Sequence, residues 1–300
     1  MHKVTPICTF CREPPFPVRT FLSLLSDESP DLSFQRWLQS YDFFCIFDSD
    51  MRRLLILTVT VLLCINCTAG VIRYKPEIIR EYCHDSKAYT QGLFFNGGTL
   101  FESTGQFGRS SFRKVDLESG KVLRKLDFDK KYFCEGSVML NGKLFLLTWL
   151  NKVAFIYDAS TLKYEKTFSY PREGWGLTTD GKELIASDGT STLYFLDDSF
   201  RLKRSVNVKL NGKAVKYLNE LEWIDGRIWA NIYTTDLIVI INPESGNVEG
   251  VIDCSGLLPD KLRTKDTDVL NGIAYSDGKI YLTGKNWPKL YEVRIVETKK

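Results

Sequence analysis

Five two-residue turns set the tightest limit on what this chain can fold into. Gly97-Gly98, Asn141-Gly142, Asp180-Gly181, Asp225-Gly226 and Asp277-Gly278 recur at intervals of roughly 40 to 50 residues, the period of an array of small sheets. Each dipeptide tolerates positive φ and favours a tight primed hairpin turn. A short apolar strand follows every turn: TLFESTG, KLFLLTWL, ELIASDG, RIWANIYT and KIYLTGK. A third strand comes next (SFRKVDL, VAFIYDA, TLYFLDD, LIVIINP, KLYEVRI), and in four repeats a further one (KVLRKLDF, YEKTFSY, LKRSVNV, NVEGVID). The fifth repeat stops at YEVRIVETKK, and EIIREY, ahead of the first repeat, can supply its missing strand. This grammar predicts an all-β chain, a five-bladed β-propeller of four-stranded blades with its ring closed by an N-terminal strand. The longer last interval holds SGLLPDKLRTKDTDV, an insertion expected to pack over one face.

Aromatic residues make up 13% of the chain, which suits strands, and a formal charge of +3 predicts no special attraction to nucleic acid or acidic membranes. The only sizeable apolar run is LLILTVTVLLCI, Leu54 to Ile65. It is short for a bilayer span of about 20 residues but right for the apolar region of a signal peptide. Met51, Arg52 and Arg53 precede it and CTAG follows, with a cut expected after Ala69 or Gly70. Read from Met51, the preferred start, residues 51–70 form a complete signal peptide and 71–300 the catalytic propeller. Read from Met1, residues 1–50, to which no element is assigned, precede the run and make it a short signal-anchor of type II orientation. The expected address is the secretory pathway or the extracellular space, with membrane attachment only if 54–65 is retained, and the expected state is a monomer. Cys8 and Cys11 are half a zinc site without a second half. Cys83, Cys134 and Cys254 remain in the mature part, an odd number that allows at most one disulfide.

The stretch FCEGSVMLNGKLFLLTWL, residues 133–150, puts Glu135 at the head of an otherwise apolar strand. Burying an unpaired acid costs several kcal/mol or shifts its pKa, so the residue calls for a purpose. Counting six residues back from each turn gives Gln91, Glu135, Gly174, Asn219 and Asn271, which in a propeller face one point on the axis. Four are polar, and Glu173 stands beside the exception. Three readings of this ring stay open: side chains bonded to ordered water, a structural site in the central channel for a hard divalent cation such as calcium, or a catalytic site with Glu135 as acid and base. Only His2 and His84 exist, which leaves one in the mature domain, too few for a zinc site of His type, and a lone His84 ahead of the first repeat is not read as part of a Ser-His-Asp set. His84 and Asp85 read as a loop or capping pair. Glu220 and Glu222 share NELEW, where strand alternation sends both to the face opposite Asn219 and Leu221. Asp116, Asp158, Asp197 and Asn242 end third strands as turn starters. Trp223 and Trp229 read as packing, and Trp287 goes either way.

Six motifs in register, HDSKAYTQGL, FESTGQFGRSSFRKVDLESGKVL, EGWGLTTDGKELIASDGTSTLYFLD, LNELEW, NGIAY and TGKNWPKLYEV, together resemble the plant and bacterial type of glutaminyl-peptide cyclotransferase. The likeness runs from about His84 to Val293. It implies a five-bladed propeller that converts the N-terminal glutamine of peptides or proteins to pyroglutamate with loss of ammonia, no cofactor being required. It further implies Glu135 as general acid and base, and Asn219 and Lys285 as the groups that hold and polarise the substrate. Gln91, Phe133, Trp149 and Trp175 would line the pocket, with Asn271 of the polar ring added as a substrate contact. One departure is Cys134, where the family pattern carries glycine, so that a side chain flanks the acid and bears on pocket width. Two alternatives keep the propeller: a calcium-dependent lactonase-like hydrolase with Glu135, Asn219 and Asn271 as ligands, and a non-enzymatic scaffold. The leader makes its own prediction. N-terminal sequencing of the secreted chain is expected to read from Gly70 or Val71, and a secreted chain that begins before Met51 would overturn the signal-peptide reading.

Overall fold

Each tight turn returns the chain alongside itself, so the repeats hydrogen-bond as antiparallel meanders. The computed structural model describes residues 70–298; the extension 1–50 and residues 51–69 of the expected leader lie outside them. The first strand, β1 (Ile72–Cys83), is followed by a sheet of β2 (Thr90–Asn96), β3 (Thr99–Thr104), β4 (Ser111–Val115) and β5 (Val122–Asp127). The next comprises β6 (Cys134–Leu140), β7 (Lys143–Thr148), β8 (Val153–Asp158) and β9 (Tyr164–Ser169). The third holds β10 (Leu177–Thr179), β11 (Leu184–Ala186), β12 (Thr192–Leu196) and β13 (Leu202–Asn207), trailed by a two-stranded ribbon, β14 (Lys209–Leu210) and β15 (Lys213–Ala214). Then come β16 (Leu218–Ile224), β17 (Arg227–Ile232), β18 (Leu237–Ile241) and β19 (Val248–Asp253), and last β20 (Leu270–Ser276), β21 (Lys279–Gly284) and β22 (Lys289–Glu297). These last seven strands and β1 form one eight-stranded sheet, in which β1 runs antiparallel to β22 and meets β19 in parallel at Ile72–Tyr74. The EIIREY segment therefore does supply the outer strand of the last repeat.

Four of the five turns have the expected two-residue form. Asn141, Asp225 and Asp277 sit at φ of 51°, 47° and 50°, each ahead of a glycine also at positive φ, and Gly97-Gly98 behaves alike. The third turn departs from expectation. Pairing stops at Thr179 and Leu184, which leaves a four-residue loop. There the Asp180 carboxylate accepts from the amides of Lys182 and Glu183 and holds the wider turn by its side chain. A sixth dipeptide of the same kind, Asn211-Gly212, turns the small β14–β15 ribbon and went unread in the sequence.

Apolar clusters fill the spaces between neighbouring sheets. Phe94 and Phe112 of the first sheet meet Leu144 and Leu146 of the second, and Leu93 and Leu100 meet Ala274 and Leu290 of the last repeat. The innermost strands converge, with β2 against β6 and β20, β6 against β10, and β10 and β20 against β16. Their facing edges carry backbone groups with no strand partner, and a buried unpaired amide is costly. Two acids meet that cost. Buried Glu220 accepts from the amides of Leu93 (3.2 Å) and Ile273 (2.9 Å), and Glu222 accepts from the amide of Tyr275 (3.0 Å) and the Thr178 hydroxyl. Burial pushes the carboxyl of Glu222 up to about 8 and that of Glu220 well above the usual carboxylate range.

Among the described residues Cys83, Cys134 and Cys254 are all unpaired: Cys83 is exposed, while Cys134 and Cys254 are buried. Trp229 packs in a core cluster, with Trp223 against another. Asp116, Asp158, Asp197 and Asn242 each accept from backbone amides of the turn that follows. His84 pairs with Glu102 (3.0 Å) and bonds the Trp287 carbonyl, whereas Asp85 takes Arg113 (2.9 Å), so the two are not a pair with each other. Burial works against charge on both His84 and Glu102, but their mutual attraction prevails, raising the imidazole pKa and lowering the carboxyl.

Glu220→Ala would strip two buried amides of their acceptor, each worth about 1–3 kcal/mol when left unsatisfied. Chemical denaturation is expected to show a stability loss of about 2–5 kcal/mol for Glu220→Ala, and a smaller one for Glu220→Gln, which keeps an acceptor.

Candidate active site

A β-bulge lies at the ring position of every inner strand except the third. Register slips between Thr90 and Gly92, Cys134 and Ser137, Leu218 and Leu221, and Leu270 and Ile273, the steps that contain Gln91, Glu135, Asn219 and Asn271. A bulge adds a residue and re-aims its side chain, which lets these strands turn one polar group out of an otherwise regular alternation. The third strand begins only at Leu177, so Gly174 lies outside it and Trp175 occupies the space instead. Gly136 fixes the acid's backbone: its amide bonds the Trp175 carbonyl at 2.7 Å, and a Cβ there would fall 2.6 Å from that oxygen.

The result is a pocket of about 160 Å³ lined by Tyr89, Gln91, Phe133, Glu135, Trp149, Trp175, Asn219, Tyr233 and Lys285. That is smaller than the ~300–1,000 Å³ of drug-sized sites and suits a single amino-acid side chain. Seven of the eight residues singled out in the sequence therefore come together. Asn271 does not line the space; fully buried behind it, its amide donates to the Thr90 carbonyl (2.9 Å) and to Gln91 Oε1 (3.3 Å). This leaves the Gln91 NH₂ end for the carboxylate of Glu135. The Cys134 thiol turns away into the cluster between the first and second sheets and takes no part in the lining.

Burial dominates the electrostatics of Glu135 and pushes its pKa well above the usual carboxylate range; the Lys285 ammonium and the Gln91 amide pull the other way without prevailing, and Glu173 adds to the rise. Lys285 is itself 2% exposed, and desolvation lowers its pKa against the pull of Glu135 and Asp268. Its Nζ lies 4.9 Å from the Tyr89 ring centroid and 4.6 Å from that of Tyr233, the geometry of a cation on aromatic faces. The Asn219 side-chain oxygen, buried, has no hydrogen-bond partner among the described residues.

Glu173, noted in the sequence only as the neighbour of Gly174, has a supporting role: its carboxylate receives the indole N–H groups of Trp149 (2.8 Å) and Trp175 (3.2 Å) and so clamps two walls of the pocket. Tyr89 and Tyr233 went unread. Tyr89 gives its hydroxyl to Asp268 (2.9 Å), and Trp287, buried, bonds the Asp268 carbonyl. The insertion thereby braces the Lys285 side of the site. Tyr233 was legible: Trp149, Tyr233 and Lys285 each directly follow a second strand, β7, β17 and β21, so the register that found the polar ring also marks this second set. Glu220 and Glu222 stay outside the pocket, on the supporting face that alternation predicted.

A buried acid from β6, an amide from β16 and an ammonium just beyond β21, brought from distant parts of the chain into one aromatic-walled pocket, make an enzyme-like site on an all-β scaffold. The comparisons with known proteins agree. The sequence model described as glutamine cyclotransferase matches residues 54–295. The chain is 45% identical over 226 residues to a glutaminyl-peptide cyclotransferase of Arabidopsis thaliana, covering 73% of this chain and 71% of that protein. It superposes on the crystal structure of the glutaminyl cyclase of Myxococcus xanthus with a TM-score of 0.72 and 37% identity, over 77% of this chain and 100% of the other. The chain belongs to the glutamine cyclotransferase family.

Opposing pulls on Glu135 yield a pH prediction. Lys285 favours the carboxylate, so Lys285→Met removes an effect that lowers the Glu135 pKa, which must then rise further. Only the ionised form can accept a proton, so the acidic limb of kcat/KM is expected to move to higher pH in the residual activity of Lys285→Met, and to stay near its wild-type position in Lys285→Arg.

Proposed function

We propose that this protein is a glutaminyl-peptide cyclotransferase in which Glu135 is the single proton carrier. The observation that carries the reading is the buried Glu135 carboxyl facing Lys285 and Asn219 across a pocket sized for one side chain. The substrate's α-amine and side-chain amide belong to one residue, so entropy of approach is low and the site must mainly fold the side chain back and manage protons. Attack of the amine nitrogen on the side-chain carbonyl carbon forms the ring bond and pushes the carbonyl electrons onto oxygen. Glu135 takes the proton shed by the attacking nitrogen. The oxyanion is met by donors from Lys285 and the Asn219 amide, worth a few kcal/mol each in such sites. When the intermediate collapses, the carbon–nitrogen bond to the former amide breaks. Glu135 returns its proton to that nitrogen, which leaves as ammonia. A carboxyl raised by burial lies closer to the α-amine, whose ordinary pKa is about 8, and so exchanges protons with it at lower cost. Trp149, Trp175 and Phe133 would enclose the aliphatic part of the glutamine.

The fuller architecture proposed for this function is a five-bladed propeller. Its blades are the five four-stranded units, the last completed by β1, and the pocket opens at the hub. The proposed setting is the secretory route with residues 51–70 as leader, the chain acting as a monomer and without a cofactor. Glu135→Gln is expected to cut ammonia release from a Gln-Xaa dipeptide by about 10²–10⁴-fold with little change in melting temperature, and turnover of the wild-type protein should survive prolonged chelation. Wild-type rates in Glu135→Gln would remove the residue from the mechanism.

A further inference from the structure

Resting on the cyclotransferase reading, a second feature bears on which peptides are processed. A pocket of about 160 Å³ takes the glutamine alone, and successive Cα atoms are only about 3.8 Å apart. The second residue of the substrate must therefore land on the rim. That rim is apolar where it borders Phe133. Among the described residues ten large hydrophobics are exposed, and seven of them lie on the strands β1, β5, β9 and β13. The other three, Phe107, Leu150 and Tyr217, all stand on segments next to pocket residues. Phe107 is 51% exposed yet meets the Phe133 ring edge-on at 5.4 Å, and Phe133 in turn meets Trp149 at 5.5 Å and Tyr89 at 6.1 Å. Leu150, also 51% exposed, directly follows Trp149. An aromatic track thus leads from solvent into the site without a break.

A lone exposed apolar side chain needs no explanation, but Phe107 is held out by its backbone. Gln106 adopts φ of 94°, a conformation that side chains other than glycine rarely take and that clusters at functional sites. Its carbonyl accepts from the Arg109 amide (3.0 Å) and the Ser110 hydroxyl (2.9 Å), and the Gly108 amide bonds the Lys130 carbonyl (3.1 Å). Gly105, at the start of the loop, has no Cβ, and one there would strike the Phe133 ring. The loop is thereby fixed with Phe107 beside the mouth.

We infer that Phe107 and Leu150 form the subsite for the side chain that follows the N-terminal glutamine, and that it favours a bulky apolar residue there. Arg109, two residues after Phe107, and Lys130, whose carbonyl holds Gly108, are exposed beside the same loop and would instead favour an acidic residue if charge governed the choice. The test measures kcat/KM for ammonia release from Gln-Phe, Gln-Gly and Gln-Glu amides. Wild-type protein is expected to prefer Gln-Phe to Gln-Gly by about tenfold, the scale of discrimination by an apolar subsite. In Phe107→Ser/Leu150→Ser the ratio should fall to within about twofold, while Leu123→Ser, an equally exposed change on β5, keeps it. Equal use of the three peptides, a preference for Gln-Glu, or an unchanged ratio in the double variant would overturn the rim subsite alone. No ammonia from any peptide with wild-type protein would overturn the cyclotransferase reading beneath it.

Discussion

Everything at the centre of this molecule depends on how the inner edges of its sheets are satisfied. Each innermost strand has a sheet neighbour on one side only, so the amides and carbonyls on its other side face the hub without a ladder partner. Polar side chains close the account across the gaps. Glu220 takes one amide from β2 and one from β20, and Glu222 takes one from β20. Asn231 Oδ1 accepts from the Gly272 amide. The hydroxyls of Ser103 and Ser187 bond the carbonyls of Glu135 and Asn219 at 2.7 Å each. These bonds join strands far apart in sequence and hold the bulged segments at fixed separations. The proton balance at Glu220 and Glu222 is set by the same burial: their raised pKa values follow from desolvation, with the amide bonds offsetting only part of it.

The division of labour within NELEW follows from strand geometry. Alternation puts Glu220 and Glu222 on the face that staples sheets together, while the bulge before Leu221 frees Asn219 to face the pocket. Acids with saturated backbone partners serve structure here. Glu135 differs: its carbonyl is tied down by Ser103 and the next amide, of Gly136, by Trp175, whereas its carboxyl meets Gln91 and the distant charges of Lys285 and Glu173. A carboxyl so lightly held can gain and lose a proton without a large rearrangement of its surroundings.

How much of this could be read from the chain depended on whether the information was local. Turn dipeptides and strand periods are local, so the hairpins, the outer strand supplied by EIIREY and the polar ring were all legible. The third turn failed because Asp180 could form either a tight primed turn or a side-chain-capped loop from the same two letters, and Asn211-Gly212 was overlooked for want of flanking long strands. Partners across sheets were not legible. That His84 meets Glu102 rather than Asp85, that Glu173 holds two indoles, and that Asn271 supports Gln91 from behind all follow from how separate sheets abut. No hairpin rule reports that spacing. Cys134 shows the same limit: only the alternation of β6 in its bulged register decides that the thiol enters the core while the next residue enters the site.

The contest between burial and charge at Glu135 is resolved by the walls. Trp149 and Trp175 have their indole N–H groups committed to Glu173, and the Tyr89 hydroxyl is committed to Asp268, so these three pocket walls keep their side-chain donors turned away from the carboxyl. Hydrogen bonds to an ionised carboxylate would lower its pKa, and withholding them lets desolvation prevail. Lys285 is treated in the same way, resting on aromatic faces instead of an ion pair, so its charge stays available to a developing oxyanion. A tight Glu135–Lys285 bridge would have quenched both groups. By spending the polar capacity of its walls on one another, the pocket keeps an acid that can exchange protons with an amine and a cation that is not already neutralised.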